Sequence, residues 1–454
     1  METQNFNTME TTPKTTGKGT GFKMIIITVL SLLMLIPMAM IENLIEERKS
    51  TSDQTIEKVT GQWCAAQTIV GPTLSVKQGT WTTVAEEEEG VCAADPSAKK
   101  RVESVKVLLP KKLNVKGDIQ NETRKKGLYQ VSIFKAPIEL DGSFELSDEM
   151  QNSISENNQV SVNFSLSDLK GITEEMKITI AGKELELKPS GNGLLSGMSQ
   201  LSATVDLNGV ENLKNIPFSM KFNIKGSQSI KFAPVGEMTT VALTSNATTP
   251  SFTGNFLPEE NNVSDAGFTS NWKISYLNRN YPQELDEPSY DVKNSISNSM
   301  FGVDLLIPVQ HYQQSLRCTK YAMLFIMLTF AVFFFVEHIQ QKNIHPIQYL
   351  LVGLALTLFY SLLISLSEHI GFTPAYMVAS AMTITLLTLY TAAVLRIKKT
   401  AFSIGGILTV LYIYIFVLIQ METYALVAGS VGLFFILAGI MYLSQKVDWN
   451  KVVK

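Results

Sequence analysis

The sequence predicts a membrane protein of six transmembrane α-helices, one followed by five, with a large β-rich, sandwich-like domain between spans one and two. Three observations carry this reading. Five apolar stretches are packed end to end between Tyr321 and Leu443. A lone apolar stretch occupies Met24–Ile41. The long segment between them is polar, and its apolar residues recur with period two. Each apolar stretch has the roughly 17–20 residues that a helix needs to cross the hydrocarbon core.

Of 454 residues, 38 are Lys or Arg and 41 are Asp or Glu, a formal net charge of -3. That balance has no basic footprint, so no nucleic-acid partner is expected. The 45% apolar content averages a polar middle with a very apolar tail.

Residues 1–23 carry Lys14, Lys18 and Lys23, which the positive-inside rule places in the cytoplasm. The run 24–41 is longer than a signal-peptide core. Its flank Ile36-Pro37-Met38-Ala39-Met40-Ile41-Glu42 lacks a small-x-small cleavage site, so it reads as an uncleaved signal anchor. The alternative is a removed signal peptide, which leaves five spans and an external N-terminus. The later spans fall near Tyr321–Val336, Tyr349–Leu366, Ala375–Leu395, Phe402–Ile419 and Tyr424–Leu443. Lys342, the run Arg396-Ile397-Lys398-Lys399, and the tail residues Lys446, Lys451 and Lys454 alternate with two loops that have no Lys or Arg. Both termini are therefore expected inside. The expected organisation is a cytoplasmic tail (1–23), the anchor (24–41), an outer-side β-rich domain with an N-terminal helical stalk (42–320), a five-helix bundle (321–443) and a cytoplasmic tail (444–454). Tyr321, Tyr349, Tyr424 and Trp449 stand where interfacial aromatic anchors belong.

Within the outer domain, Leu44, Ile45, Ile56, Val59 and Trp63 approximate a helical stripe, so Glu42–Trp63 reads as a stalk. Gly71-Pro72 reads as the turn beyond it. Val160, Val162, Phe164 and Leu166 alternate with polar residues, as do Phe218, Met220, Phe222 and Ile224. Val105–Leu109, Leu128–Phe134, Lys177–Ala181, Glu184–Leu187, Val241–Thr244 and Trp272–Tyr276 are further strand candidates. One polar face per strand predicts antiparallel sheets with one side in water, forming one or two sandwich units. Glu86–Glu89 reads as a solvated loop, with a cation site as the alternative.

Three cysteines are present, at 64, 92 and 318, without a C-x-x-C redox motif. An oxidising compartment allows Cys64 to pair with Cys92, the alternative being two free thiols. No P-loop, G-x-S-x-G or H-E-x-x-H motif occurs, and no cofactor or metal motif is found. The four histidines, His311, His338, His345 and His369, all lie in or beside the membrane tail. The outer domain before residue 300 therefore lacks the commonest general base. Ionisable groups at the membrane are the candidate site. Glu368 and His369 end span three, and Glu422 opens span six on the same side. Glu337, His338 and His345 cluster after span two. If the bundle closes, the first three residues form a proton or cation site; otherwise all are hydrated helix ends. Ser and Thr within the spans, and Gly429, Gly432 and Gly439, read as helix-packing residues.

The segments Val303-Asp304-Leu305-Leu306-Ile307-Pro308-Val309 and Arg317-Cys318-Thr319-Lys320-Tyr321 open the tail. His345-Pro346-Ile347-Gln348-Tyr349 and Ser365-Leu366-Ser367-Glu368-His369-Ile370-Gly371-Phe372 follow. With them the tail closely resembles the CreD family of bacterial inner-membrane proteins. The likeness extends to Trp63, Gln67, Gly71-Pro72, Lys126-Gly127-Leu128-Tyr129, Ser167-Asp168-Leu169-Lys170-Gly171, the run Pro250–Pro258 and Asp448-Trp449. Asn246-Ala247 and Thr423 depart from the family pattern, the first at a Trp and the second at an acidic residue. The resemblance implies an inner-membrane protein of envelope integrity and the envelope-stress response, with no established reaction. The reading is a non-enzymatic protein whose periplasmic β domain touches a partner protein or envelope component. A transporter or channel, or a membrane enzyme acting on lipid or wall precursors, are the alternatives.

Overall fold

The structure, a computed structural model, describes residues 20–83, 99–148, 150–151, 160–192, 194–207, 210, 213–286, 288–305, 310–340, 342–421 and 424–445. Glu86–Glu89, Cys92, Glu422, Thr423 and the Asp448-Trp449 pair lie outside them. The chain divides into two compact units, Ser52–Pro308 on the one hand and Met1–Thr51 with Val309–Lys454 on the other.

The helices are α1 (Thr20–Leu33), α2 (Leu35–Trp63), α3 (Tyr290–Asn298), α4 (Gln310–Lys320), α5 (Ala322–Gln340), α6 (Pro346–Ile370), α7 (Phe372–Leu395), α8 (Lys398–Gln420) and α9 (Ala425–Ser444). Six helices among the described residues are long and apolar enough to cross a membrane, one N-terminal and five C-terminal. The helical unit encloses its own apolar core, built around Phe325, Phe330, Leu356, Phe359, Ile404 and Leu408. Helix α4 belongs to this core, since Tyr312 and Cys318 are buried within it. The division of the chain falls at Pro308, since α4 packs with the spans. Gly432 gives Tyr414 room against α9, and the Tyr414 hydroxyl donates to the carbonyls of Ala428 and Gly429, each at 3.2 Å.

The strands are β1 (Gln67–Thr83), β2 (Lys99–Leu108), β3 (Lys112–Lys126), β4 (Tyr129–Phe144), β5 (Val160–Leu166), β6 (Lys177–Ile180), β7 (Lys183–Glu186), β8 (Lys188–Asn192) and β9 (Ser199–Val205). They continue with β10 (Ile216–Ser227), β11 (Ser229–Phe232), β12 (Met238–Ser245), β13 (Ser251–Gly254), β14 (Glu260–Ser264), β15 (Gly267–Ser275), β16 (Glu284–Asp286) and β17 (Phe301–Asp304). One sheet has the order β13-β17-β11-β1-β5-β9-β8, with β2 on β1 and β16 on β2. The other has the order β14-β15-β12-β3-β4-β10-β6-β7. The two sheets share one core, with Phe164 of the first 5.5 Å from Phe222 of the second. Trp272 lies at its centre, 1% exposed and ringed by Phe252 and Phe301, and its indole N–H donates to the Phe256 carbonyl at 3.2 Å.

The sheets are mixed rather than purely antiparallel: β1 pairs with β11, and β12 with β3, in parallel. Alternation in β10 matches its burial, with Phe218, Met220 and Phe222 inside and Ser219, Lys221 and Asn223 outside. In β5 the expected wet face is closed. Asn163 and Ser165 are buried, and Asn163 bonds to Ser75 and, at 2.9 Å, to Gln200. Buried polar groups persist where such partners exist. Gly71-Pro72 is not a terminal turn either. It lies inside β1, where the pairing with β5 shifts register between Val70 and Thr73. Gly71 has φ 109°, and a Cβ there would stand 3.1 Å from the Asn163 carbonyl, so the chain crosses this bulge without ending the strand.

Candidate functional site

Glu337 near the C-terminal end of α5 is 3% exposed, in a helix otherwise rich in Phe. An unpaired buried carboxylate is costly, so its partners decide its role. Lys23 Nζ of α1 lies 2.5 Å from Glu337 Oε1. The Ile344 N–H donates to the same oxygen at 3.1 Å, and the Tyr349 hydroxyl donates to Oε2 at 2.8 Å. Lys23 also donates to Asn343 Oδ1 at 3.1 Å. One carboxylate therefore ties together α1, α5, the α5–α6 connection and α6. Its sequence neighbours do other work. His345 is exposed and caps α6: its Nδ1 accepts from the Ile347 N–H at 3.3 Å, while its own N–H donates to Gln348 Oε1 at 3.0 Å. His338 Nδ1 meets the Phe334 carbonyl at 3.2 Å.

At the opposite end of α6, Glu368 is half-buried and accepts from the Tyr312 hydroxyl of α4 at 3.0 Å. The His311 ring lies tilted against Tyr312, with ring centroids 4.2 Å apart. His369 is exposed, with Nδ1 3.1 Å from the Ser365 carbonyl. The residue pair that meets here is thus Tyr312 and Glu368, with His311 rather than His369 beside it. Between the two ends the bundle is filled by Tyr360, Tyr376, Tyr412 and Phe359, and Tyr376 donates to the Tyr412 carbonyl at 2.8 Å. A space of about 10 Å³ between α5, α6 and α7, lined by Phe333, Val352 and Tyr390, is of the order of a single water.

A third cluster lies where the chain enters the β domain. The Cys64 thiol accepts from Gln67 Nε2 at 2.8 Å and faces Asp168 Oδ2 at 3.6 Å. Gln67 also donates to the Asp168 carbonyl at 2.9 Å, and the Ala65 N–H donates to Asp168 Oδ2 at 3.1 Å. Lys170 Nζ donates to the Gly61 carbonyl at 3.1 Å, closing the last turn of α2. Ser167 Oγ donates to the Ala66 carbonyl at 2.7 Å. Burial, joined by the negative Asp168, pushes the Cys64 thiol up to about 12. Burial alone would raise Asp168, but the N–H donors of Ala65 and Lys170 outweigh it and hold the carboxyl below its usual value. Such a thiol is not a nucleophile at neutral pH. On the sandwich itself, a groove of about 390 Å³ is lined by Leu108, Lys111, Glu145, Asp148, Lys214 and Glu237, with its lysines already paired as Lys111–Glu145 and Lys214–Asp148.

Sequence reasoning singled out Glu337 and Glu368 but missed Lys23, Tyr349 and Tyr312 as their partners. These lie far away in sequence or on a different element, and no local spacing marks them. The motif residues Trp63, Gln67, Ser167, Asp168, Lys170 and Gly171 were visible as separate runs. Their convergence on one junction was not.

Six hydrophobic helices, one plus five, with a two-sheet β domain inserted after the first, define a multi-pass membrane protein with a large domain outside the bilayer. A family profile described as inner membrane protein CreD matches residues 19–450. The chain is similar to the inner membrane protein CreD of Escherichia coli (strain K12), with 31% identity over 425 residues, covering 92% of this chain and 91% of that protein. The chain therefore belongs to the CreD family and is a multi-pass protein of the inner membrane.

Proposed function

We propose that this protein is a non-enzymatic component of envelope integrity and the envelope-stress response. Its β domain lies in the periplasm, where it touches a partner protein or envelope component, and both termini are cytoplasmic. The observation that carries this reading is the state of Glu337. Glu337 is 3% exposed, and its carboxylate is held by three of the protein's own donors, Lys23, the Ile344 N–H and Tyr349, which supports a fastening role over proton or ion transfer. At Glu368 one oxygen, Oε1, accepts from Tyr312. These groups fasten helices together, and the action is assigned to the domain they carry. The orientation follows from the loop charges.

Complementation of a deletion strain under envelope stress tests the reading, with protein levels checked. Glu368→Gln and His369→Ala are expected to complement fully once correctly folded and inserted. Loss of the phenotype at normal protein level in either variant would overturn the fastening role in favour of a transport or catalytic site. Alkaline phosphatase fusions after Gly127 and Thr373 are expected to be active and a fusion after Lys399 inactive. An inactive fusion at Gly127 would overturn the orientation.

A further inference from the structure

The hairpin β3–β4 is longer than the sheet around it. On one side its pairing with β12 ends at Ile119↔Ser245, and on the other its pairing with β10 ends at Ile133↔Ser227. Thr123–Ser132 and the turn between them continue as a two-stranded ribbon, closed by Lys126↔Tyr129. Gly127 takes φ 62° at this turn, as a two-residue hairpin connection demands. The ribbon's outer part is basic and apolar at once. Arg124, Lys125 and Lys126 are exposed, and Leu128 at the tip is 48% exposed. Among the described residues, Lys125 and Lys126 form no ion pair.

The ribbon projects from a particular end of the domain. Ser227, the last β10 residue beside the hairpin, donates to the Cys64 carbonyl at 2.7 Å, where the chain arrives from α2. Its neighbour Gln228 accepts from the Leu305 N–H at 2.6 Å, where the chain leaves towards the later spans. Arg124 stands 4.2 Å over the Trp63 ring at the end of α2. Both connections to the membrane-spanning segments therefore leave from the end of the sandwich that bears the basic tip.

We propose that the β3–β4 tip is a bilayer-contact element that binds anionic phospholipid headgroups through Lys125 and Lys126 and sets Leu128 into the interface. Cationic side chains are attracted to an anionic lipid surface within about a Debye length, roughly 8–10 Å at ordinary ionic strength. An exposed leucine between two such strands adds a short-range apolar contact.

The test is hydrogen exchange on the full chain in lipid nanodiscs. In phosphatidylcholine discs containing phosphatidylglycerol, amides of the 124–130 segment exchange more slowly than in pure phosphatidylcholine discs, and added salt removes the difference. Lys125→Ala with Lys126→Ala weakens the protection on the order of thirtyfold. Leu128→Ser weakens it in anionic discs without altering its salt dependence. Arg124 is left intact because it packs on Trp63, and unchanged exchange in β10 and β12 shows that the variants are folded. Equal exchange of the tip in neutral and anionic discs, or protection that is insensitive to salt and to the lysine pair, would overturn the proposal. Protection that arises only in native membranes and not in anionic discs would also overturn it, pointing to a protein partner instead.

Discussion

Lys23 Nζ lies 2.5 Å from Glu337 Oε1, although 314 positions separate the two residues in the chain. The first helix and the second span are thereby joined through a carboxylate that is 3% exposed, while the lysine side chain is 26% exposed. Removing one member of such a pair is more harmful than removing both charges, because the survivor is left uncompensated. Lys23→Met is expected to destabilise the helical unit by about 3 kcal/mol. Lys23→Met combined with Glu337→Gln, which keeps acceptors for Tyr349 and Ile344, is expected to recover most of that loss. Thermal unfolding in micelles measures both. Equal stabilities for the parent protein and the Lys23→Met variant would show that the pair contributes nothing.

The far end of the bundle separates two neighbours in sequence. Tyr312→Phe removes the hydroxyl that donates to Glu368 and is expected to cost about 2 kcal/mol, as for a hydrogen bond to a charged group. His369→Ala, at an exposed position, is expected to change stability by less than about 0.5 kcal/mol. The same unfolding assay compares them, and a reversed order would contradict the placement of these side chains.

Two glycines separate steric from conformational need. A Cβ on Gly171 would stand 2.5 Å from the Lys225 carbonyl and 2.6 Å from Gln67 Nε2, so Gly171→Ala is expected to cost about 2 kcal/mol through overpacking. Gly127 has nothing within 4 Å but a φ of 62°, so Gly127→Ala is expected to cost about 1 kcal/mol and Gly127→Asn less. Denaturant unfolding monitored on the β domain distinguishes them.

Cys64 gives the domain a pH signature. Its thiol is raised from 9.0 to about 12 in the folded chain, so folding favours the protonated form. The stabilisation is complete below about pH 9 and is lost as pH rises from there towards 12. Cys64→Ala is expected to flatten this alkaline loss relative to the parent protein. In the native state without reductant, Cys64 is expected to resist alkylation at neutral pH and to be labelled once the chain is unfolded. Absence of label after unfolding without reductant would show that it is paired, with Cys92 as the partner.

Much of the architecture was readable from local pattern. A bilayer demands a helix long and apolar enough to span it, and the lone run at 24–41 and the five runs after Tyr321 each form one. The period-two runs at Val160–Leu166 and Phe218–Ile224 are strands for an equally local reason, since opposite faces of a strand alternate. The stalk also ends where its stripe ends, at Trp63. Other features depended on residues distant in sequence. Whether Asn163 met water or Ser75 was decided by what covered β5, and whether Gly71-Pro72 ended β1 by the strand beside it. The parallel pairings of β1 with β11 and β12 with β3 likewise join distant segments. The sequence by itself determined that Glu337 and Glu368 sit at opposite ends of their spans. Only the tertiary structure decided that Lys23 and Tyr349 engage the first and Tyr312 the second. A span boundary is a property of one continuous segment and its solvent, whereas a charge's partner is set by the packing of several segments, which no single stretch of residues encodes.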